Sequence, residues 1–393
     1  MKYFFILGSN PTLSLAELAA VFSHEGKLSL VQTNIAILET NQEIAANIIK
    51  KIGGTVKFGL ILNEADSYTT EVILKAIAEF AKPASSEVKF MFGISNYGKN
   101  KANIKALAME FKKLLKQSAM NSRWVISREP TLSSVVVEQN KLTTDRGVEI
   151  VIIQFNKKLL LGRTLAVQPF KELSFRDFGR PARDDHSGML PPKLAQIMIN
   201  LSGANPDAAV LDPFCGSGTI ITEARLMGYK NIIGTDISNR AIADTKINID
   251  WTEKNFNLPK TNYKILNSDA TQISKHLAPD SIDAIVTEPY LGPQRGWFDL
   301  SKTVNELERL YEKSLIEFKK ILKPGGRIVM VWPSFYDKRK NIFLNPDLSG
   351  FKIVNPIPEN LQSNIFLKLT NRNTIIYGRE LQKIWREIVV LEK

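Results

Sequence analysis

AVLDPFCGSGT, residues 209–219, reads as a buried strand that turns sharply into a helix over 220–227. The strand ends at Asp212, and Gly216 and Gly218 let backbone N–H groups of the turn approach a ligand closely. The Gly-Lys-Ser/Thr of a phosphate-binding P-loop is absent, and so is the third glycine of the dinucleotide fingerprint. Taken alone, the turn is either a ligand site or an ordinary structural turn.

Helices and strands alternate around this turn. Strands are predicted over 209–211, 231–235, 263–267, 281–287 and 327–331, with helical segments between them. This alternation is typical of an α/β domain with a doubly wound parallel sheet. The carboxyl ends of such strands form the edge where these folds bind ligands.

Acidic residues stand at three successive strand ends: Asp212, Asp236 in GTDI and Asp269 in NSDA. A carboxylate at position 236 can accept two hydrogen bonds from a ribose diol, although an aspartate there can also cap the next helix. Asp269 can accept a hydrogen bond from an adenine amine. Because the glycine turn contains no Lys or Arg, the pattern favours a cofactor that contains adenosine and has no phosphate to neutralise.

The fourth strand runs into Thr287-Glu288-Pro289-Tyr290. The set DPFCGSGT, GTDI, NSDA and TEPY, preceded by HSGMLPPKLAQIMINL, resembles the amino-methyltransferases of nucleic acids. A closer resemblance is to the THUMP-containing tRNA guanosine N2-methyltransferases of the position-10 type. That resemblance is carried by YFFILGSNPTLSLAELAAVF, KFMFGISNYG, FRDFGRPARDDHSGMLPPKLA and the tail IIYGRELQKIWREIVVL, and it spans nearly the whole chain.

The resemblance implies a Rossmann-like class I methyltransferase domain over 186–393, beginning near His186. An N-terminal ferredoxin-like α+β domain is expected over 1–55 and a THUMP-like RNA-binding domain over 56–167. Residues 168–185 carry two prolines, a glycine and dense alternating charge without an apolar period, which predicts an interdomain linker.

The resemblance implies S-adenosyl-L-methionine as the cofactor. The residues expected to bind it are Asp212, Phe214, Gly216, Gly218, Thr219, Asp236, Ile237, Asp269, Ala270 and Pro191. His186 either covers the cofactor or is a loop histidine with a structural hydrogen bond.

Glu288, Pro289 and Tyr290 are the expected catalytic residues. An exocyclic base amine is a poor nucleophile because its lone pair is conjugated into the ring; hydrogen bonds from its N–H groups to a carboxylate and a backbone carbonyl draw that pair toward the methyl group. Proline removes a backbone donor, and Tyr290 offers a face on which a base can stack. This motif is one proline shorter than the family's usual Asp/Asn-Pro-Pro-Tyr/Phe, and Glu288 replaces Asp or Asn.

Other chemistries fit the composition less well. Cys215 is the only cysteine and there are three histidines, so no metal site is expected. Carbon methylation of a pyrimidine needs a thiolate, whereas Cys215 is expected to pack as a small apolar residue.

The formal net charge of +12 favours a polyanionic partner, although a basic proteome is the alternative. The predicted helix over 104–116 is apolar on one face and rich in lysine elsewhere, which fits either RNA contact or a solvated face. The expected RNA-binding residues are Lys99, Lys101, Lys105, Lys112, Lys113, Arg176 and Arg180.

The leading hypothesis is therefore a tRNA guanosine N2-methyltransferase whose partner is RNA, with an accessory protein left open. An adenine-N6 methyltransferase of RNA or DNA and a non-catalytic RNA-binding protein with a degenerate fold are the alternatives. The opening hydrophobic stretch of five residues is too short for a signal peptide, and no apolar run is long enough to span a bilayer. A cytoplasmic protein is expected.

Overall fold

The computed structural model describes residues 1–66, 71, 89–98, 103–155, 158–183, 189–261, 263–293, 296, 298–337, 340–378 and 382–393. The helices are α1 (Pro11–Val21), α2 (Ile104–Gln117), α3 (Ser134–Gln139), α4 (Phe170–Phe178), α5 (Pro192–Leu201), α6 (Thr219–Met227), α7 (Asn239–Asn255), α8 (Leu300–Ile321) and α9 (Glu359–Gln362), with 3₁₀ helices at Ala46–Lys50 and Ala270–Lys275.

The strands are β1 (Lys2–Leu7), β2 (Gly26–Gln32), β3 (Ile35–Thr40), β4 (Thr55–Ala65), β5 (Phe90–Tyr97), β6 (Ser122–Trp124), β7 (Gly147–Phe155), β8 (Lys158–Val167), β9 (Ala209–Asp212), β10 (Asn231–Asp236), β11 (Lys264–Asn267), β12 (Ile282–Thr287), β13 (Leu322–Asp337), β14 (Lys340–Phe343), β15 (Lys352–Ile353), β16 (Ile375–Tyr377) and β17 (Ile384–Glu392). The chain divides into two compact units: Met1–Pro11, His24–Lys50 and Thr55–Phe170 form the first, and Thr12–Ser23, Lys51–Gly54 and Lys171–Lys393 form the second.

The first unit is built on one sheet in the order β2-β3-β1-β4-β8-β7-β5-β6. Helix α2 begins where the Asn103 side chain accepts a hydrogen bond from the backbone N–H of Ala106. Its Leu107, Phe111 and Leu115 recur at helical spacing and pack into the core. Strands from before and after residue 55 share this sheet, and the division into 1–55 and 56–167 domains stays a prediction.

The second unit contains a sheet in the order β11-β10-β9-β12-β13-β17-β15, with β14 paired to β13 and β16 to β17. Strands β11, β10, β9, β12 and β13 are parallel, and β17 joins β13 in the antiparallel sense. The predicted doubly wound sheet is confirmed. Strand β13 is longer than the expected 327–331 at both ends, because Leu322 pairs with Ile282 of β12 and the residues beyond Val331 continue to pair with β17 and β14.

The segment predicted as a linker contains helix α4. Leu173 and Arg176, three residues apart, are its buried positions. The dense charge hid this pattern, since Arg176 occupies a position where an apolar residue is expected and is stabilised there by an ion pair with Glu223, Nε to Oε1 at 2.6 Å. Phe175 adds a ring contact with Trp251, at a centroid distance of 4.8 Å.

Candidate active site

A cleft of about 560 Å³ opens at the carboxyl ends of the parallel strands of the second unit. Its wall includes Asp212, Asp236, Asp269 and Glu288. Strand β9 lies between β10 and β12, so the strand order reverses here, and open α/β sheets bind ligands at such a point. The structure thus brings the four acids from the strand ends to one cavity.

Most of the other predicted cofactor residues lie in the same wall: Phe214, Gly216, Thr219, Ile237 and Ala270. Gly218 and Pro191 do not line the cleft; they are the N-caps of α6 and α5. Met189 and Leu190, just before Pro191, do line the cleft.

The glycine turn has the backbone conformation that its sequence predicts. Gly216 and Gly218 have φ values of +51° and +84°, in the left-handed region that favours glycine. A Cβ on Gly216 would meet no atom within 4 Å, whereas one on Gly218 would lie 2.9 Å from Cγ2 of Thr245. The open space over Gly216 is therefore room for a ligand, and the space over Gly218 is filled by the protein.

This difference predicts separate effects for two alanine substitutions. We expect Gly218→Ala to lower the free energy of unfolding by about 2–3 kcal/mol, since backbone strain of about 1–2 kcal/mol adds to the close contact. Gly216→Ala carries the strain alone but places a methyl group in the cleft, so it should weaken cofactor binding more than Gly218→Ala does. Urea unfolding and calorimetric titration with S-adenosylmethionine measure the two effects; equal losses of affinity would contradict this assignment.

Two side chains of α7 hold the turn in place, and sequence reasoning missed both. Thr245 Oγ1 donates to the carbonyl of Gly216 at 2.7 Å. Asn248 Nδ2 donates to the carbonyls of Ser217 and Ala182, at 2.7 and 2.8 Å. Both side chains are buried. The sequence signal that could have identified them is the presence of polar residues at helical spacing on the face of α7 that packs into the core.

Asp236 is oriented before any ligand binds. Its Oδ2 accepts from the backbone N–H of Gly216 at 3.0 Å, and its Oδ1 accepts from that of Ser238 at 2.9 Å. The N-cap of α7 is Ser238, so Asp236 does not fill that role. Because each carboxylate oxygen has two lone pairs, both keep one for a ribose hydroxyl. Ile237 follows it, 72% exposed on the cleft wall, as an apolar surface for a base.

Asp269 is the N-cap of the 3₁₀ helix Ala270–Lys275. Its Oδ1 accepts from both the backbone N–H and the hydroxyl of Thr271, each at 2.8 Å. The capping contacts fix the carboxylate in the cleft wall, and its role toward an adenine amine stays a prediction.

Asp212 is buried and accepts hydrogen bonds at Oδ1 from the Thr287 hydroxyl at 2.7 Å and the Phe214 backbone N–H at 3.1 Å. Burial raises the pKa of this carboxyl to about 7, against the lowering effect of the two hydrogen bonds. The end of β9 and the end of β12 are thereby linked through one carboxylate.

The raised pKa of Asp212 predicts a pH-dependent stability. Because the pKa of Asp212 is higher in the folded state, protonation of this carboxyl stabilises the fold. This stabilisation is complete below the unfolded-state pKa of about 3.8 and is lost as the pH rises to the folded-state pKa of about 7. Asp212→Asn has no such titration, so we expect its free energy of unfolding to gain about 3 kcal/mol on the wild type between pH 4 and pH 7. Urea unfolding of both proteins across that range measures the difference; a constant difference would mean that Asp212 titrates normally.

Cys215 is buried, and burial raises the pKa of its thiol. A group that resists ionisation is a poor nucleophile, in agreement with the expectation that Cys215 packs as a small apolar residue.

Glu288 is held by a side chain that sequence reasoning did not single out. Arg386 Nε lies 2.5 Å from Glu288 Oε1, and Arg386 Nη2 lies 3.3 Å from Oε2. Arg386 lies on β17 opposite Pro333 of β13. The tail that contains it was recognised for its family likeness, but no local pattern pairs positions 98 residues apart.

Tyr290 is 55% exposed beside Glu288 on the cleft wall. Its backbone carbonyl accepts a hydrogen bond of 2.8 Å from the hydroxyl of Tyr311, a buried residue of α8. The turn is thus fixed from behind while the Tyr290 ring stays available for stacking.

The expectation that Arg176 and Arg180 contact RNA is wrong. Arg176 is 7% exposed and bound to Glu223, and Arg180 is 5% exposed with Nη1 donating to Thr219 Oγ1 at 2.5 Å. Burial lowers the pKa of Arg180. A buried guanidinium cannot reach a phosphate, and these two arginines instead hold α4 and the following chain against α6.

Of the predicted RNA-binding lysines, Lys105, Lys112 and Lys113 lie exposed on α2. Lys99, Lys101 and His186 lie outside the described residues. Within the described ranges, no group of three or more His, Cys, Asp or Glu side chains is placed to hold a metal ion. No helix in those ranges is long and apolar enough to cross a membrane.

An edge of this kind can hold an adenosine through Asp236 while Glu288 faces an acceptor, which is the arrangement of a class I S-adenosylmethionine-dependent methyltransferase. The chain belongs to the N6/N4 methyltransferase family, whose model, described as DNA methylase, matches residues 36–246, more than half of the chain. The model of an RMKL-like methyltransferase domain matches residues 180–342 and includes all four strand-end acids.

Individual relatives agree with this assignment. The tRNA (guanine(10)-N2)-dimethyltransferase of Methanothermobacter thermautotrophicus is 29% identical over 335 residues, which cover 84% of this chain and 87% of that protein. The tRNA (guanine(6)-N2)-methyltransferase of Thermus thermophilus is 28% identical over 155 residues, 37% of this chain and 39% of that protein. The solved structure of TrmN from Thermus thermophilus shares the fold, with a TM-score of 0.53 at 18% identity over 100% of both chains.

These matches confirm the resemblance to the tRNA guanosine N2-methyltransferases and the α/β fold class. They also confirm that the protein is a methyltransferase that uses S-adenosylmethionine.

Proposed function

We propose that the enzyme methylates the exocyclic N2 of a guanosine in tRNA. The observation that carries this proposal is the likeness to a tRNA guanine-N2 dimethyltransferase over 84% of the chain, which includes every strand end in the cleft. The second tRNA guanine-N2 relative acts on a different position, so the shared chemistry is the guanine amine and the position within the tRNA is a separate question.

The residues of the cleft fit the cofactor. The space over Gly216, the preoriented Asp236 and the exposed Ile237 would hold the adenosine, with Asp269 facing its amine. When bound, S-adenosylmethionine supplies a methyl group that the amine nitrogen takes as the carbon–sulfur bond breaks, with the electron pair staying on sulfur.

Glu288 and its turn act on the base. A hydrogen bond from the amine to Glu288 draws the nitrogen lone pair out of conjugation, and the proton that the amine loses passes to this carboxylate or to water. The Tyr290 ring stacks on the base and positions it. Positioning of this kind can supply a large part of the rate enhancement, lowering the activation barrier by on the order of 7–11 kcal/mol at best.

The exposed lysines of α2 are proposed to bind the tRNA backbone. Replacing Lys105, Lys112 and Lys113 with glutamine should reduce the slope of log Kd against log salt by about 2–3 and weaken tRNA binding more than tenfold at low salt. Filter binding across a salt series measures both. The matched control replaces Lys246, Lys254 and Lys260, which are exposed on the second unit; equal losses from the two triple variants would mean that α2 is only a solvated face.

The function is tested with purified protein, labelled S-adenosylmethionine and unmodified tRNA transcripts, followed by nucleoside mass spectrometry. N2-methylguanosine or N2,N2-dimethylguanosine is the expected product. N6-methyladenosine would support the second candidate, an adenine methyltransferase, which the match to the DNA methylase model favours. Tight cofactor binding without any methylated nucleoside would support a non-catalytic RNA-binding protein. Transcripts with single guanosine replacements then locate the modified position.

A further inference from the structure

The carboxylate of Glu288 is partnered by a cation that lies far from it in sequence. The two side chains are largely buried, with 11% of Glu288 and 15% of Arg386 exposed. Both carboxylate oxygens face the guanidinium, through Nε at 2.5 Å and Nη2 at 3.3 Å. A two-point contact between planar groups fixes orientation as well as distance.

This contact bears on the unusual motif. Glu288 has one more rotatable bond than the Asp or Asn that is usual in the family, and the turn after it is one proline shorter. A flexible acid on a short turn would sample many orientations relative to the target amine unless another group restrained it. The guanidinium fork provides that restraint, and the carboxylate oxygens each keep a lone pair for an acceptor amine.

Arg386 is itself well fixed. It lies within the long antiparallel pairing of β13 with β17, and its Nη2 lies 3.5 Å from the carbonyl of Met189, a residue of the cleft wall. Burial lowers the pKa of Arg386, but the ion pair with Glu288 outweighs it and raises the pKa above its usual value. The guanidinium therefore remains a permanent cation beside the acid.

We propose that Arg386 is the positioning residue for Glu288: it holds the carboxylate in the orientation that accepts the N–H of the target amine. This assignment rests on the proposed function only in that an exocyclic amine accepts the methyl group. It assigns Arg386 no contact with tRNA phosphate and none with the cofactor.

The test compares Arg386→Gln, Arg386→Lys and Glu288→Gln, with the double variant. We expect Arg386→Gln to lower kcat on the order of 100-fold, since small misplacements of a reacting group cost that much, while the Kd for S-adenosylmethionine and the KM for tRNA change less than threefold. Arg386→Lys keeps the charge without the fork and should recover only part of kcat. If Arg386 acts through Glu288, adding Arg386→Gln to Glu288→Gln should lower kcat little further.

Chemical rescue and a matched control separate positioning from folding. Arg327 of β13 pairs at 3.1 Å with Glu392 of β17, the strand that also carries Arg386, and both side chains are more exposed. Arg327→Gln therefore removes an ion pair of the same strand away from the cleft and should leave kcat unchanged. Millimolar guanidinium should restore part of the activity of Arg386→Ala, whereas equal concentrations of sodium or ammonium should not. If Arg386→Gln fails to fold, kcat is compared with the two other variants. These are Arg386→Lys and the double variant, in which neither charge is left unpaired.

Three results would overturn the proposal: multiplicative losses in the double variant, a full kcat in Arg386→Lys, or a loss confined to the KM for tRNA. The wild-type product decides the target base and so tests the proposed function separately. The ratio of variant to wild-type kcat can be measured on whichever base amine the wild type methylates.

Discussion

Glu288→Gln is expected to lower kcat for methyl transfer on the order of 10²- to 10⁴-fold, the range typical of losing a proton-transfer group. The amide keeps the length of the side chain and one acceptor oxygen for Arg386, but it loses the charge that polarises the amine. The Kd for S-adenosylmethionine should stay within threefold, because the proposed adenosine contacts are at Asp236 and Asp269. Single-turnover kinetics with saturating tRNA, together with calorimetric titration of the cofactor, measure the two quantities.

The matched control is Glu392→Gln, which removes the acidic partner of Arg327 from β17, the strand that carries Arg386. It should leave kcat unchanged, because this ion pair lies away from the cleft. Thermal melting of both variants reports any loss of folding. If Glu288→Gln weakened cofactor binding as much as it lowers kcat, Glu288 would belong to the cofactor site instead.

Asp236→Ala is expected to raise the Kd for S-adenosylmethionine on the order of 10²- to 10⁴-fold. It removes the two charge-assisted hydrogen bonds proposed for the ribose, each worth about 1.5–3 kcal/mol, and releases the backbone N–H of Gly216 from its 3.0 Å bond to Oδ2. The kcat at saturating cofactor should fall much less. Equilibrium titration and initial rates over a wide range of cofactor concentration measure these effects.

Asp244→Ala is the control for this variant. Asp244 also lines the cleft, but it lies on α7 and pairs with the exposed Arg240 at 3.8 Å. Such surface pairs contribute little, so we expect a change in Kd of less than threefold. Equal losses from the two substitutions would mean that the cleft responds to its total negative charge and that Asp236 makes no specific ribose contact.

Much of the catalytic unit could be predicted because its signals are local. Buried apolar runs ended at acids, and the glycines at 216 and 218 marked a turn that requires positive φ. In a parallel sheet, successive strand ends meet at one edge regardless of side-chain detail. Local pattern was therefore sufficient to bring Asp212, Asp236 and Asp269 together.

Sequence reasoning missed helix α4 within residues 168–185 for a physical reason. A charged residue in a sequence is normally taken as exposed, yet Arg176 is buried in α4 because Glu223 of α6 balances it. Arg180 is buried in the same region. A side chain's partner decides whether its charge faces solvent or the core, and a partner dozens of residues away is not part of the local pattern.

The sequence alone was thus enough to predict the five parallel strands of the catalytic half, the sheet edge at which their acids meet and the class of reaction. The tertiary structure decided which charges remain available to a substrate: it withdrew Arg176 and Arg180 from any RNA surface and joined Arg386 to Glu288. Backbone preferences act between near neighbours in the chain, whereas an ion pair depends on where distant strands meet. The antiparallel pairing of β17 with β13 places Arg386 beside the acid at the end of β12.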